Sequence, residues 1–167
     1  MTFFVPGLPQ PAGSKQVFQH PEVYRVLREM ESGKPVPRPV LVEALRRRPL
    51  ITDDNRQGRT WRQAVAQGAI DAGLRPSAGP LVLCLVFLMP RPKGHFGSGK
   101  NEGKVRESAP RWPAVKPDVT KLARGTEDAL KGIAWKDDSQ VVAQAASKHY
   151  ADPGEIPGCW VTVREAK

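Results

Sequence analysis

The stretch that decides the fold is KPDVTKLARGTEDALKGIAWKDDS, which runs from Lys116 to Ser139. Pro117 suits the first turn of a helix and Asp118 suits the positive end of the helix dipole, so a helix is predicted to begin here. It should run to about Lys131, because Gly132 is a natural C-terminal stop. The face predicted to pack on the rest of the domain carries Val119, Leu122, Ala123, Thr126, Ala129, Leu130 and Ile133.

Acidic residues flank this predicted helix on both sides. Asp118 opens it, and Asp137 and Asp138 follow its end. If the chain folds back after the helix, these carboxylates can meet. Hard oxygen ligands of this kind are what Mg²⁺ binds, with waters and a phosphate completing its octahedron. The alternative is that Asp118 is only a helix cap and that the later pair only forms a turn.

The composition favours a polyanion as the partner. The 167 residues suit one domain with a real core, and the formal net charge is +9. Nucleic acid is the first candidate for so basic a chain. The apolar run Leu81–Met89 is too short to span a bilayer and no signal peptide is recognised, so a cytoplasmic protein is expected. Cys84 and Cys159 lie in strand-like runs and are expected to be buried free thiols.

The hydrophobic pattern predicts a small mixed sheet covered by helices, which is an α+β fold. Strands are predicted over Thr2–Val5, Leu50–Thr52, Leu81–Met89, Gln140–Tyr150 and Cys159–Arg164. The third of these is apolar on both faces, which is typical of a central strand covered on both sides. The last two are predicted to be antiparallel neighbours, joined by a turn at 152–158. A further helix is predicted from Thr60 to about Ala72, opened by a capping box.

Residues 20–48 are predicted to form two helices inserted into a single domain that spans 1–167. Pro21 and Pro39 begin these helices, and Arg46, Arg47 and Arg48 close the second one. Cations are favoured at a helix C-terminus, so the three arginines are expected to be a solvated helix end. The alternative is a contact with the DNA backbone.

Residues 91–116 are predicted to form a flexible basic loop that grips a phosphate backbone. This segment holds seven Lys and Arg residues against two Glu residues, with little periodicity. With Lys15 in an earlier polar loop, the candidate DNA contacts are Lys15, Arg91, Lys93, Lys100, Lys104, Arg106, Arg111 and Lys116.

Two other motifs are set aside. Gly94–Lys100 is close to a phosphate-binding loop, but Asn101 follows where Ser or Thr is needed and no helix pattern comes next. The acidic pair Asp53 and Asp54 precedes a helix and two arginines, so capping explains it better than metal binding does.

The block from Lys116 to Val141 resembles the RusA-type crossover junction endodeoxyribonucleases, the Holliday-junction resolvases common in phages and prophages. The matching positions are Lys116, Pro117, Asp118, Leu122, Asp128, Leu130, Gly132, Asp137, Asp138, Gln140 and Val141. Weaker similarity runs through residues 1–18 and 57–89. The resemblance implies a RusA-like fold and a Mg²⁺-dependent endonuclease that resolves Holliday junctions and other branched DNA by paired nicks, in recombination and repair. It also implies a homodimer that acts in the cytoplasm of a bacterium or a phage-infected host.

The resemblance further implies roles for individual residues. Asp118, Asp138 and Asp137 would hold or orient Mg²⁺, for which Mn²⁺ could substitute, and Thr120 would hold a metal-bound water. Arg124 or Lys121 would stabilise the negative charge that develops on the phosphate.

The sequence departs from the family pattern at three positions. Thr120 stands where the family has a second Asp, Lys121 where it has Asn, and Arg124 where it has Lys. Glu127 is about 10 Å further along the helix than Thr120, too far to replace the missing ligand, and is expected to pair with Arg124 or Lys131. The second hypothesis is therefore a junction-binding protein with little or no cleavage.

Overall fold

The computed structural model describes residues 1–13, 15–18, 20–47, 50–53 and 56–166. The chain forms two compact units. The larger consists of Met1–Ala12 and Asn55–Lys167, and the smaller of Gly13–Asp54. The assignment of 1–167 to a single domain with an insertion stays a prediction.

A four-stranded mixed sheet is the framework of the larger unit. Its strands are β1 (Thr2–Pro6), β4 (Leu81–Met89), β5 (Val141–Tyr150) and β6 (Gly158–Glu165), in the order β1-β6-β4-β5. β6 pairs antiparallel with both β1 and β4, whereas β4 and β5 are parallel. With the helices described next, this sheet confirms the predicted α+β class.

Two helices pack on one face of this sheet. They are α3 (Arg56–Asp71) and α4 (Val119–Leu130). Alternate residues of β4 point towards them, and Leu83, Leu85 and Phe87 are almost completely buried. Trp61, Val65, Leu122 and Leu130 join the same core from the helices.

The opposite face of the sheet is partly exposed. Val86 of β4 is 36% exposed and Trp160 of β6 is 45% exposed, with the Trp160 ring 4.9 Å from that of Phe4. The predicted cover on both faces of β4 is therefore found only in part: α3 and α4 pack on one side, whereas on the other Leu88 is buried and Val86 is exposed.

Two further expectations are corrected. β5 and β6 are not neighbours, because β4 lies between them. β6 buries Cys159, Val161 and Val163, which suits an inner strand, whereas most of β5 is exposed and lies at the sheet edge. α3 also begins four residues before Thr60, because Arg56–Arg59 contains good helix formers.

The smaller unit contains a two-stranded antiparallel ribbon and two helices. β2 (Lys15–Phe18) pairs with β3 (Leu50–Asp53), and the helices are α1 (Pro21–Glu31) and α2 (Arg38–Arg46). Val23, Val26 and Ala44 form a small buried cluster between the helices. Both helices begin close to a proline, as predicted.

None of the helices among the described residues is long and apolar enough to cross a bilayer.

Candidate functional site

The buried face of α4 fixes which of its side chains point outwards. Leu122 and Leu130 are fully buried. Thr126, also fully buried, donates a hydrogen bond to the Leu122 carbonyl (3.1 Å) and accepts one from Trp61 Nε1 (3.2 Å). The opposite, polar face therefore lies at the surface, and it carries Thr120, Arg124, Glu127 and Asp128.

A tight turn after α4 brings Asp138 back to the end of the helix. Gly132 has a φ of 82°, which an L side chain adopts at a cost, and its amide donates to the Trp135 carbonyl at 2.7 Å. Trp135 is fully buried and anchors the turn. Its Nε1 donates to Asp138 Oδ1 at 3.0 Å, while Lys131 Nζ lies 2.9 Å from Oδ2. These two donors, Trp135 first and Lys131 second, hold the pKa of Asp138 below its usual range.

Asp137 and Gln140 form a capping box on the short 3-10 helix Asp138–Gln140. Asp137 Oδ1 accepts from the Ser139 amide (3.0 Å). A hydrogen bond with the Ser139 side chain lowers the pKa of Asp137 most, followed by this amide bond and the charge of Lys131. Gln140 Oε1 accepts from the amides of Lys136 and Asp137, and its Nε2 donates to the carbonyls of Ser77 and Gly79. The alternative given for the acidic pair was a turn, and Asp137 indeed caps the short 3-10 turn that carries Asp138.

A groove of about 520 Å³ lies between the polar face of α4 and the edge strand β5. Asp138 stands at one end, and Gln144 and Ala146 form the wall contributed by β5. The complete lining is Val119, Thr120, Ala123, Arg124, Glu127, Asp128, Asp138, Gln144 and Ala146. The groove thus contains Thr120, Arg124 and Asp138 of the predicted site.

Glu127 is the half-buried carboxylate of this groove. Gln144 Nε2 donates a hydrogen bond to its Oε2 at 3.4 Å. Burial raises the pKa of Glu127, and the negative charge of Asp138 raises it further. Glu127 was expected to pair with Arg124 or Lys131. Lys131 pairs with Asp138 instead, whereas the positive charge of Arg124 acts on Glu127 by lowering its pKa. Glu127 lies on the helical stripe shared by Thr120 and Arg124, a signal present in the sequence, whereas nothing in the sequence singled out Gln144.

Asp118 does not line the α4–β5 groove. It precedes the helix in an extended conformation, and its side chain lines a second pocket of about 380 Å³ together with Lys116 and Lys121. Lys148 Nζ donates to the carbonyls of Val115 and Pro117 and fixes the approach to the helix. Within the described part of the chain, no group of three or more His, Cys, Asp or Glu residues is arranged to hold a metal ion. Asp118 and Asp138 thus line separate pockets.

The basic segment 91–116 contains two 3-10 helices, Lys93–His95 and Gly99–Asn101. Arg91 and Arg106 donate to the carbonyls of Pro110 and Phe96, so both help to hold the segment together. The Arg111 guanidinium lies 5.4 Å from the centre of the Trp112 ring. The candidates exposed on this segment are Lys93, Lys100, Lys104, Arg106, Arg111 and Lys116, whereas Arg91 is half-buried. The flexibility predicted for the segment stays a prediction.

Several candidate side chains fall outside what the structure describes. They are the side chains of Lys15 and Asp53 and the residues Arg48, Asp54 and Asn55. Their suggested roles stay predictions.

Comparison with known proteins identifies the family. The chain is 38% identical over 87 residues to the uncharacterized protein YqaN of Bacillus subtilis (strain 168), a match that spans 52% of this chain and 58% of that protein. The family model described as endodeoxyribonuclease RusA matches residues 33–164, which include α4, the turn after it and β5. The match begins at residue 33 and so also includes part of the predicted insertion. The chain therefore belongs to the RusA endodeoxyribonuclease family.

Proposed function

We propose that this protein is a divalent-metal-dependent, structure-specific endodeoxyribonuclease that resolves Holliday junctions and related branched DNA by paired nicks. The observation that carries this proposal is the α4–β5 groove, which combines carboxylates with an exposed arginine inside the region matched to the family. Such a reaction belongs to recombination and repair, in the cytoplasm of a bacterium or a phage-infected host.

The donor atoms of the groove suit a hard divalent cation. They are the carboxylates of Asp138, Glu127 and Asp128, the hydroxyl of Thr120 and the amide oxygen of Gln144. Oxygen donors favour Mg²⁺ or Mn²⁺ over softer metals, and Mg²⁺ in phosphoryl-transfer sites commonly uses one or two carboxylates plus the substrate phosphate. When bound, such a cation activates a water molecule and neutralises charge on the scissile phosphate.

The protein's own residues orient Asp138 and bind the DNA phosphates. Trp135 and Lys131 fix the orientation of Asp138, and Asp137 holds the main chain that carries it. Arg124 is exposed on the groove, where its guanidinium can bind the phosphate in a bidentate manner and stabilise the developing charge. Lys121 is proposed to contact the DNA backbone from the other side of the helix. The ligand role of Asp118 stays a prediction that requires its side chain to turn towards the groove.

A second copy of the chain is the proposed partner, because two symmetric cuts need two sites. The strand β5 supports this proposal. It pairs with β4 on one side, and no other strand of the described residues pairs with its second edge. Val142 is 61% exposed on this strand. An exposed apolar edge of this kind can pair with the same edge of another copy, since two-fold homodimers are the commonest assemblies.

The direct test is to mix the protein with a synthetic four-way junction and Mg²⁺ and to follow the products on a denaturing gel. Symmetric nicks at the junction are expected, with little cleavage of a linear duplex. Asp138→Asn should remove most of the nicking, whereas Asp152→Asn, an exposed aspartate in the β5–β6 connection, should nick like the wild type. Equal nicking by wild type and Asp138→Asn would contradict the proposed site.

Thr120 favours one alternative function, which is binding of branched DNA with weak or no cleavage. Thr120 replaces a carboxylate that the family pattern has at this position, and a hydroxyl is a weaker ligand. A mobility shift of the junction without nicking in Mg²⁺ or Mn²⁺ would identify this function. Thr120→Asp should then gain nicking activity if the missing carboxylate is the cause.

A further inference from the structure

The carboxylates of the α4–β5 groove are gathered at one end of it. At the N-terminal end of α4 the groove has only the Thr120 hydroxyl, where the family pattern has an aspartate. At the C-terminal end it has Glu127, Asp128 and Asp138. The oxygen donors with the highest affinity for a cation therefore lie about two helical turns from the position where the family pattern has its second aspartate.

Glu127 differs from Asp138, which is paired with Lys131. It is half-buried, and within the described part of the chain no ion pair joins it to a lysine or arginine. Its hydrogen-bond partner is the neutral amide of Gln144. A partly buried carboxylate that faces a second carboxylate is costly unless a cation joins them.

The end of the helix adds to the attraction for positive charge. Glu127 lies in the last turn of α4, where the unpaired main-chain carbonyls give the helix its negative pole. The ammonium group of Lys131 already lies beside Asp138 at this end. Glu127 and Asp138 thus offer two carboxylates near the C-terminal end of α4, within one groove.

We propose that Glu127 supplies, in this chain, the second carboxylate ligand that Thr120 cannot supply, and that it holds the divalent cation together with Asp138. This inference rests on the proposed function and names a second protein ligand for its cation. The cation would lie at the C-terminal half of the groove, with Arg124 one turn away to bind the phosphate. Two carboxylates beside a substrate phosphate are enough for Mg²⁺.

The test is a Mn²⁺ titration without DNA, in which electron paramagnetic resonance measures the free ion. Glu127→Gln keeps the shape of the side chain and its contact with Gln144 but removes the charge. Its Mn²⁺ affinity should be at least about tenfold weaker than that of the wild type. Even the loss of a residue that only hydrogen-bonds to a metal ligand lowers metal affinity by about this factor. Glu107→Gln makes the same change at an exposed residue of the basic segment and should bind Mn²⁺ as the wild type does.

A thermal melt gives a second readout. Mn²⁺ should raise the melting temperatures of the wild type and of Glu107→Gln, because a ligand that binds the folded state stabilises that state. The rise should be much smaller for Glu127→Gln. Wild-type Mn²⁺ affinity in Glu127→Gln would overturn the inference, as would a loss of affinity in Asp118→Asn alone. If the wild type still nicks a four-way junction in that case, the proposed function stands and only the ligand is wrong. A wild type that neither binds Mn²⁺ nor nicks would refute both.

Discussion

Gln140 shows how much of the site depends on a single neutral side chain. Its amide makes four hydrogen bonds to main-chain atoms, two in the turn that carries Asp137 and Asp138 and two in the α3–β4 connection. The family pattern includes this glutamine next to the acidic pair, where it could be mistaken for a ligand. The structure gives it a structural role instead, because every polar atom of its side chain is already used.

We expect Gln140→Ala to lower the free energy of unfolding by about 1–3 kcal/mol, because it removes the hydrogen bonds to the carbonyls of Ser77 and Gly79, which are partly buried. Urea denaturation followed by circular dichroism would measure this. Gln67→Ala is the matched control, since Gln67 is exposed on α3 and bonds only to Asp71, and it should change stability by less than about 0.5 kcal/mol. Similar losses in both variants would contradict the role given to Gln140.

The two cysteines should differ sharply in reactivity. Burial raises the pKa of the Cys159 thiol to about 12, whereas Cys84 is only half-buried. Because the thiolate is the reactive form, Cys84 should react with an aromatic disulfide reagent in the native protein and Cys159 only after unfolding. Absorbance of the released thiolate measures both phases, and Cys84→Ser should lose the native phase. Equally fast labelling of Cys159 would contradict the expected burial.

At the scale of single elements, α4 is the part that the sequence predicts best. The predicted helix from Asp118 to Lys131 differs from the observed Val119–Leu130 by one residue at each end. Its apolar face and its glycine stop are both found as predicted. The contact between Glu127 and Gln144 was not predicted, because helical spacing gives distances only between residues of the same helix. The neighbour that matters is across the groove on β5, and local periodicity carries no information about that strand.

Two glycines inside helices should respond differently to the same substitution. A Cβ at Gly125 of α4 would lie 3.0 Å from the Ala12 nitrogen and 3.1 Å from the Gln10 carbonyl oxygen. A Cβ at Gly68 of α3 would meet only side-chain atoms, with Val5 Cγ2 at 3.3 Å. Alanine gains about 1 kcal/mol of helix propensity at either site.

We therefore expect Gly125→Ala to be less stable than Gly68→Ala by about 1 kcal/mol or more, because main-chain atoms yield less readily than side chains do. Thermal or urea unfolding of the two variants measures the difference directly. If Gly125→Ala were the more stable of the two, the close packing of residues 10–12 on α4 would be wrong.

At the scale of the whole molecule, the sequence predicts the strands much better than their arrangement. Leu81–Met89 was predicted with its observed bounds, and the predicted limits of the other strands of the sheet lie within one residue of those found. The predicted pairing of β5 with β6 is wrong. A short connection favours a hairpin, and only the packing of the whole sheet shows that β4 lies between the two strands. The division into two compact units also depends on contacts that are remote in sequence.

If two copies of the chain pair through the free edge of β5, a charge on this edge should prevent dimerisation. Val142→Lys places a charge on this edge, which is a common way to prevent pairing between strands, and should shift the protein from dimer to monomer. Light scattering after size-exclusion chromatography measures the mass. Ile156→Lys is the matched control, because Ile156 is 62% exposed in the β5–β6 connection and Val142 is 61% exposed. A dimer that survives Val142→Lys but not Ile156→Lys would move the interface elsewhere.

The strand order has a consequence for how the protein is made. β6 is the last strand in the chain, yet it lies between β1, which is the first, and β4. A growing polypeptide that has emerged from the ribosome only as far as β5 lacks the strand that joins β1 to the others, even though all the acidic residues of α4 and the following turn have already been synthesised. The sheet that supports α4 is therefore complete only when residues 158–165 have been translated.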